Sequence, residues 1–136
     1  MIDVKELRIG NYVLAEGLVD NEPSLYQIEM VGIGRCAVMN SRSSITLDWR
    51  YANPISITPE WLEKLGFIRS DKTYSYQTSD QFYIDWTMED GICLNGIYDD
   101  IMSNGDKLEH IKYIHQLQNL YYALTGDELL FTPHTP

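Results

Sequence analysis

The sequence is short of positive charge, and this shortage limits the partners that we expect the protein to bind. Ten Lys and Arg residues stand against 20 Asp and Glu residues, which gives a formal net charge of −10 at pH 7. Residues 69–136 are the more acidic half, with 4 cations and 11 acidic groups. A field of this sign repels phosphate backbones, so ordinary nucleic-acid binding is not predicted.

Long apolar runs and an export signal are missing as well. No run approaches the ~20 apolar residues that a helix needs to cross a bilayer, so no membrane association is predicted. The opening MIDVKELRIGNYV lacks a basic start followed by an apolar core, which a secretory signal would have. We therefore expect a cytoplasmic location.

Cysteine and proline are scarce. Cys36 and Cys93 are the two cysteines, and neither belongs to a C-x-x-C pair of the kind that binds zinc or carries redox chemistry. In a reducing cytoplasm we expect both to be buried thiols. With 5 prolines, 10 tyrosines and a hydrophobic fraction of 44%, the composition favours a folded chain over a disordered one.

The first part of the chain carries the pattern of short strands separated by turns. Apolar and β-branched residues alternate there, and Asp, Asn, Ser and Gly residues stand between the alternating segments. The predicted strands are GNYVLA, LYQIEMVGI, RCAVM, SITLDW and PISI. Five short strands in so short a stretch predict a small antiparallel SH3-like β-barrel over residues 1–57.

The second part, residues 58–136, is predicted as an αβββα subdomain. Thr58 as N-cap and Pro59 at the first helical position start a short helix, which Gly66 ends. Apolar residues then recur with period two from Tyr74 to Leu94, including Met88, and Asp90-Gly91 predicts a tight hairpin. A loop over residues 96–106 leads to the last helix. The whole chain is therefore predicted to be α+β, with the long C-terminal helix packed on a three-strand antiparallel sheet.

That last helix is predicted within the stretch Ile111 to Phe131, and its core-facing stripe is centred on Leu117. The stripe is formed by His110, Tyr113, Ile114, Leu120, Tyr121 and Leu124. Gly126 is placed to end the helix as a left-handed C′ residue. Thr125 and Glu128 match a capping box, which predicts that a second helical turn begins at once.

A second stripe on the same helix is formed by Ile111, His115, Gln118 and Tyr122. Two interpretations stay open for it. Strands or loops of the same domain cover the stripe, or it is an interaction surface for a protein partner or a second copy of the chain. Tyr beside Gln and His is typical of a half-wet interface.

Residue patterns for chemistry are weak. Asp99, Asp100 and Asp106 lie in a loop that loosely matches a calcium-binding loop, but Met102 and Ile111 replace ligands that such a loop needs. The three acids are therefore only weak metal candidates. No nucleophile motif is present, so no catalytic residue and no cofactor are predicted.

Three segments carry a family resemblance. ELRIGNYV, ITPEWLEKLGF and IHQLQNLYYALTGDEL, in this order, resemble motifs shared by a family of uncharacterised proteins from gut Bacteroidetes, their prophages and mobile elements. The resemblance spans most of the chain. It implies no assigned activity, cofactor or catalytic residue.

Three functions remain as hypotheses. The leading one is a non-enzymatic protein-interaction module, encoded by a phage or mobile element, that binds a partner or itself as a homodimer through the second stripe. The first alternative is a small metal-dependent enzyme that uses the acidic residues between 80 and 109. The second is an acidic mimic of DNA that occupies a nucleic-acid-binding protein.

Overall fold

The predicted α+β class is confirmed by a computed structural model of the chain. It describes residues 2, 4–16, 23–32, 35–39, 44–48, 51–78, 82–98, 101–102 and 106–131. These residues hold two antiparallel sheets and two α-helices. None of the helices in the described residues is long and apolar enough to cross a membrane.

The chain divides into two units. The first comprises Met1–Ser56 with Tyr113–Asn119, and the second comprises Ile57–Lys112 with Leu120–Pro136. These units differ in two respects from the ranges 1–57 and 58–136 predicted from the sequence, of which the smaller is that Ile57 belongs to the second unit. Tyr113–Asn119 groups with the first unit, although it follows the second sheet in sequence.

The sheet of the first unit has the strand order β4-β3-β2-β1-β5. Its strands are β1 (Tyr12–Glu16), β2 (Pro23–Val31), β3 (Arg35–Met39), β4 (Ser44–Asp48) and β5 (Ala52–Asn53). A short 3-10 turn at Val4–Glu6 precedes them. Because successive side chains of a strand point to opposite faces of the sheet, every second side chain lies on the core face, where Val13, Ile28 and Val38 are fully buried. A bulge interrupts the β2–β3 register between Ile28 and Met30.

Four of the five strands predicted for this sheet are confirmed, and the fifth prediction is wrong. The final strand is Ala52–Asn53, paired with β1, and not the PISI segment. The Ile55 carbonyl accepts from the Ile114 amide at 2.8 Å, so this segment bonds to the start of the last helix and not to the sheet. Ser56 instead makes an isolated bridge with Tyr113. Among the described residues β4 and β5 have one neighbour each, so the closed SH3-like barrel stays a prediction.

The second sheet has the order β10-β9-β8-β7-β6, and β11 also pairs with β9. Its strands are β6 (Ile68–Ser70), β7 (Thr73–Gln77), β8 (Phe82–Thr87), β9 (Gly91–Tyr98), β10 (Ile101–Met102) and β11 (Asp106–Lys107). The predicted three-strand meander is present as β7, β8 and β9. The predicted loop over residues 96–106 is wrong in part, because β10 and β11 lie there and pair with β9.

Helix α1 (Pro59–Lys64) confirms the start and end that the sequence predicts. The Trp61 amide donates to Thr58 Oγ1 at 3.4 Å, and Thr58 has the extended backbone of an N-cap. Gly66 has φ 93°, which only glycine adopts without strain, and it ends the helix. Leu62 and Leu65 are fully buried and anchor this short helix in the core of the second unit.

Helix α2 (Ile114–Thr125) begins later than predicted. The Ile114 amide donates to the Ile55 carbonyl at 2.8 Å, and Gln116 Oε1 accepts from the Tyr113 amide at 3.0 Å. These bonds cap the first turn, so Ile111 stands outside the helix. His110 also precedes the helix and is exposed, so its place on the core stripe is wrong.

The end of α2 is confirmed at Gly126, which has φ 77° and donates its amide to the Tyr122 carbonyl at 2.8 Å. The prediction of a second helical turn directly after Gly126 is wrong. Thr125 Oγ1 donates to the Tyr121 carbonyl and accepts from the Asp127 amide at 3.0 Å, so the hydroxyl holds a bend instead of capping a new helix.

Candidate functional site

The second stripe predicted on the last helix does not form a continuous exposed surface. Ile111 is 7% exposed, His115 is 1% exposed and Gln118 is fully buried. Tyr122 is 44% exposed. Three of the four residues therefore contribute to the interior of the units, as the first interpretation predicted, and only Tyr122 is available to a partner.

The Gln118 side chain is buried because its amide group is hydrogen-bonded to the backbone at and just before the start of β1. Gln118 Oε1 accepts from the Tyr12 amide at 2.8 Å, and Gln118 Nε2 donates to the Gly10 carbonyl at 3.2 Å. The side chain thereby replaces the bonds that a neighbouring strand would make. A buried amide that is hydrogen-bonded in this way stabilises the fold and leaves no free group for a ligand.

Asn11 and Asn119 extend this buried network within the first unit. Asn11 Nδ2 donates to Asn119 Oδ1 at 2.9 Å, and Asn11 Oδ1 accepts from the Arg8 amide at 2.6 Å. Arg8 Nε also donates to Asn119 Oδ1 at 2.9 Å. The Asn119 amide in turn donates to the Glu6 carbonyl. ELRIGNYV and IHQLQN are thus two halves of one hydrogen-bonded arrangement, and their polar residues serve the fold.

His115 belongs to the same region. Its ring stacks on that of Tyr113 at 5.8 Å with an interplanar angle of 11°, and its Nε2 lies 3.5 Å from Glu6 Oε1. Gln116 Nε2 donates to the other Glu6 oxygen at 2.8 Å. Glu6 therefore accepts a hydrogen bond from Gln116 through one carboxylate oxygen, while its other oxygen lies beside the buried His115 ring.

Of the three predicted metal candidates, the structure describes Asp106 alone. Asp106 is exposed at the start of β11, while Asp99 and Asp100 lie outside the part of the chain that is described. Where residues are described, no three His, Cys, Asp or Glu side chains converge in a way that could hold a metal ion.

A different region of the second unit has the geometry of a binding site. The β6–β7 turn at Asp71-Lys72 and the β8–β9 turn at Met88–Asp90 lie at the same end of the sheet, because Tyr74 pairs with Trp86 in register. We call this end of the sheet the turn end. Three depressions open there, and Asp90 lines all of them.

The β8–β9 turn confirms the hairpin that Asp90-Gly91 predicts, but with a longer loop. Thr87 pairs with Gly91, so the loop between them has three residues. Of the two residues in Asp90-Gly91, Gly91 alone has a positive φ, at 70°. The Asp90 amide donates to Thr87 Oγ1 at 3.1 Å, and Lys107 Nζ lies 2.8 Å from Asp90 Oδ1. These contacts hold the loop against β11.

The depression on the core side of the turn end has a volume of about 460 Å³, and we call it the aromatic groove. Tyr74 and Trp86 line it, with their rings edge to face at 5.9 Å and 62°. Pro59 lines it as well, and its surface is mostly apolar. Met88 also lines it and is 82% exposed, an unusually high value for a large apolar side chain.

The two turns give the aromatic groove walls of opposite charge. The β6–β7 wall carries Arg69, Asp71 and Lys72, which sum to one net positive charge. The β8–β9 wall carries Glu89 and Asp90, and with Lys107 paired to Asp90 this wall has one net negative charge. Arg69 Nε donates to the Asp71 carbonyl at 3.0 Å, which holds the guanidinium beside the turn.

The opposite face of the same sheet presents a polar row that lacks an activated nucleophile. Asp85 accepts from Ser75 Oγ at 2.5 Å and from Asn95 Nδ2 at 2.9 Å. Cys93 pairs with Asp85 in register, and burial together with the Asp90 and Asp85 carboxylates raises the pKa of its thiol. A thiol with a raised pKa is mostly protonated and is a poor nucleophile. The raised pKa of Cys36 has the same main cause, burial.

Sequence reasoning found the hairpin but missed the groove. It placed Met88 on the apolar face of a strand, whereas Met88 lies in the turn and is exposed. The sequence held one relevant signal, the small number of cations in residues 69–136. The cations Arg69, Lys72, Lys107 and Lys112, all four of residues 69–136, line depressions at the turn end. Their convergence depends on strand register, which the sequence does not state.

Comparison with models of protein families, with curated proteins and with solved structures gave no match to this chain.

Proposed function

We propose that this protein is a binding module for another protein and that the aromatic groove is its binding site. The observation that carries the proposal is the combination in one groove of an aromatic lining, the exposed Met88 side chain and walls of mixed charge. Aromatic residues and Met are enriched at protein interfaces, and mixed charge on the rim gives specificity. Nucleic acid would be repelled by the surrounding acidic field.

The proposal changes the location of the surface but keeps the class of function inferred from the sequence. A non-enzymatic role agrees with the raised pKa of both cysteine thiols. It also agrees with the lack of a converging set of metal ligands among the described residues. The predicted stripe on the last helix retains Tyr122 as its exposed member, 44% exposed, and Tyr122 is a second contact to test.

The family resemblance and the barrel are part of the same proposal. We propose that the chain belongs to the Bacteroidetes and prophage-associated family, because two of the three shared motifs bind each other in the first unit. We also propose that β1 to β5 close as an SH3-like barrel. The bulge between Ile28 and Met30 supports this, since bulges bend a strand and increase its twist.

A selection from a displayed library of random dodecapeptides tests the binding site. We expect the wild-type protein to enrich a shared peptide sequence, and we expect Met88→Glu to abolish the enrichment. Met30→Glu is the matched control, because Met30 is also an exposed methionine, at 58%, and lies in the first unit. Retention by Met30→Glu with loss in Met88→Glu supports the groove. Equal enrichment by all three proteins, or none by the wild type, contradicts it.

A further inference from the structure

We infer that the aromatic groove takes a partner segment in the polyproline II conformation that carries an acidic and a basic side chain three residues apart. The inference rests on the proposed function and names the chemistry of the partner. It follows from the spacing of the two walls, from their opposite charge and from the apolar surface between them.

The spacing of the walls comes from the strand order. The β6–β7 turn lies between β6 and β7, and the β8–β9 turn lies between β8 and β9, so their centres are two strand spacings apart. With about 4.8 Å between neighbouring strands, the two walls are separated by roughly 9.6 Å.

A polyproline II helix matches this distance. It has three residues per turn and a rise of about 3.1 Å per residue, so side chains i and i+3 lie on the same face about 9.3 Å apart. In a fully extended β-strand, residues i and i+3 lie on opposite faces. Unlike an extended strand, the polyproline II form presents two charged groups three residues apart to both walls at once while the residues between them cross the groove.

The charges on the walls specify the residues at the two ends of the segment. Arg69 and Lys72 on the β6–β7 wall are exposed and attract a carboxylate, which can be bound bidentately by the guanidinium. Glu89 on the other wall is exposed and attracts a cation, because Asp90 is already paired with Lys107. A segment with like charges at both ends would meet repulsion at one wall.

The surface between the walls favours a proline or aliphatic pair at the two central positions. Tyr74 and Trp86 line the groove there, Pro59 borders it, and Met88 can close over a bound side chain. Aromatic-lined grooves are the common way in which proteins bind segments in the polyproline II conformation, because such segments lose little entropy on binding.

The test uses five synthetic peptides with one common two-residue core, Leu-Pro, and fluorescence polarisation as the readout. Two peptides carry mixed charge three residues apart around the core, as Glu-x-x-Lys and Lys-x-x-Glu, since a polyproline II segment can bind in either direction. Two carry like charge, as Glu-x-x-Glu and Lys-x-x-Lys. The fifth carries Glu and Lys six residues apart.

We expect at least one mixed-charge peptide to bind about fivefold or more tightly than both like-charge peptides and the widely spaced one. This difference should shrink at high salt, because the charges on both walls are exposed and screened. Equal affinities for all five peptides would overturn the inference while leaving the proposed function standing.

Charge reversal in the protein makes the test stricter. Lys72→Glu should shift the preference to Lys-x-x-Lys, and Glu89→Lys should shift it to Glu-x-x-Glu. Both residues are exposed turn residues, so both variants should fold, which circular dichroism checks. A preference that does not follow the reversal would also overturn the inference.

A second copy of the chain is the alternative occupant. If sedimentation shows a dimer that Met88→Glu dissociates, and no peptide binds, then the groove is a self-association surface and the inference is wrong. Failure of the inference thus differs from failure of the proposed function, which the random-library selection detects.

Discussion

Gln118→Ala should destabilise the first unit strongly, although Gln118 lies on a stripe that the sequence could not distinguish from a surface. Gln118 is fully buried, and its side chain makes two hydrogen bonds to the backbone at Gly10 and Tyr12. Loss of the acceptor for the partly buried Tyr12 amide costs about 1–3 kcal/mol. The Gly10 carbonyl keeps its bond from Gln27 Nε2 at 3.0 Å, so its loss is smaller.

Adding about 1 kcal/mol for the cavity left by the side chain gives a total of about 3 kcal/mol. Tyr122→Ala, one turn further along the same stripe, is the matched control. Tyr122 is 44% exposed, so its loss should change the free energy of unfolding by about 1 kcal/mol or less. Gln118→Met keeps most of the volume and should still lose about 2 kcal/mol, because the hydrogen bonds are gone.

Urea unfolding gives the free energy of the chain, and amide hydrogen exchange of β1 reports on the first unit directly. A loss of about 3 kcal/mol should speed exchange in Tyr12–Glu16 by roughly 100-fold. This prediction is contradicted if the free energy of unfolding of Gln118→Ala is within about 0.5 kcal/mol of the wild-type value, or if Tyr122→Ala loses more stability than Gln118→Ala.

The remaining predictions concern pH and metal ions. Burial raises the pKa of the Cys36 and Cys93 thiols above 9.0, their ordinary value. The stability that these thiols contribute is therefore present below about pH 9 and is lost as the pH rises through their folded pKa values. The midpoint of unfolding should fall as the pH is raised from 8 to about 10.5, and it should fall less steeply in a Cys36→Ala/Cys93→Ala variant. A midpoint that rises with pH would contradict this. Millimolar Mg²⁺, Mn²⁺ or Ca²⁺ should leave the Tm unchanged compared with chelator-treated protein, whereas a clear increase would restore the metal-dependent alternative with Asp99 and Asp100.

The helix boundaries show how far local sequence signals can be trusted. Thr58, Pro59 and Gly66 bounded α1 correctly, and Gly126 ended α2, because capping depends on residues within one turn of the helix end. The start of α2 was wrong because its first amide bonds to Ile55, far away in sequence. No local pattern encodes such a bond.

The second stripe shows the same limit for function. Its spacing correctly described which side chains recur along the helix, but periodicity does not state what covers them. Gln118 is covered by Gly10, Asn11 and Tyr12. These residues lie at and just before the start of β1, more than one hundred residues away from Gln118 in sequence. Gln118, which the sequence placed on a possible interface, is hydrogen-bonded within the fold.

Composition and local pattern predicted the α+β class, most of the strands, both ends of α1, the C-terminal end of α2 and the excess of acidic charge. These properties depend on composition and on contacts between near neighbours along the chain. The tertiary structure alone decided that polar helix residues are buried and that four scattered cations converge on the turn end of the second sheet. The physical reason is register, because pairing of distant strands fixes which turns, charges and aromatic rings become neighbours.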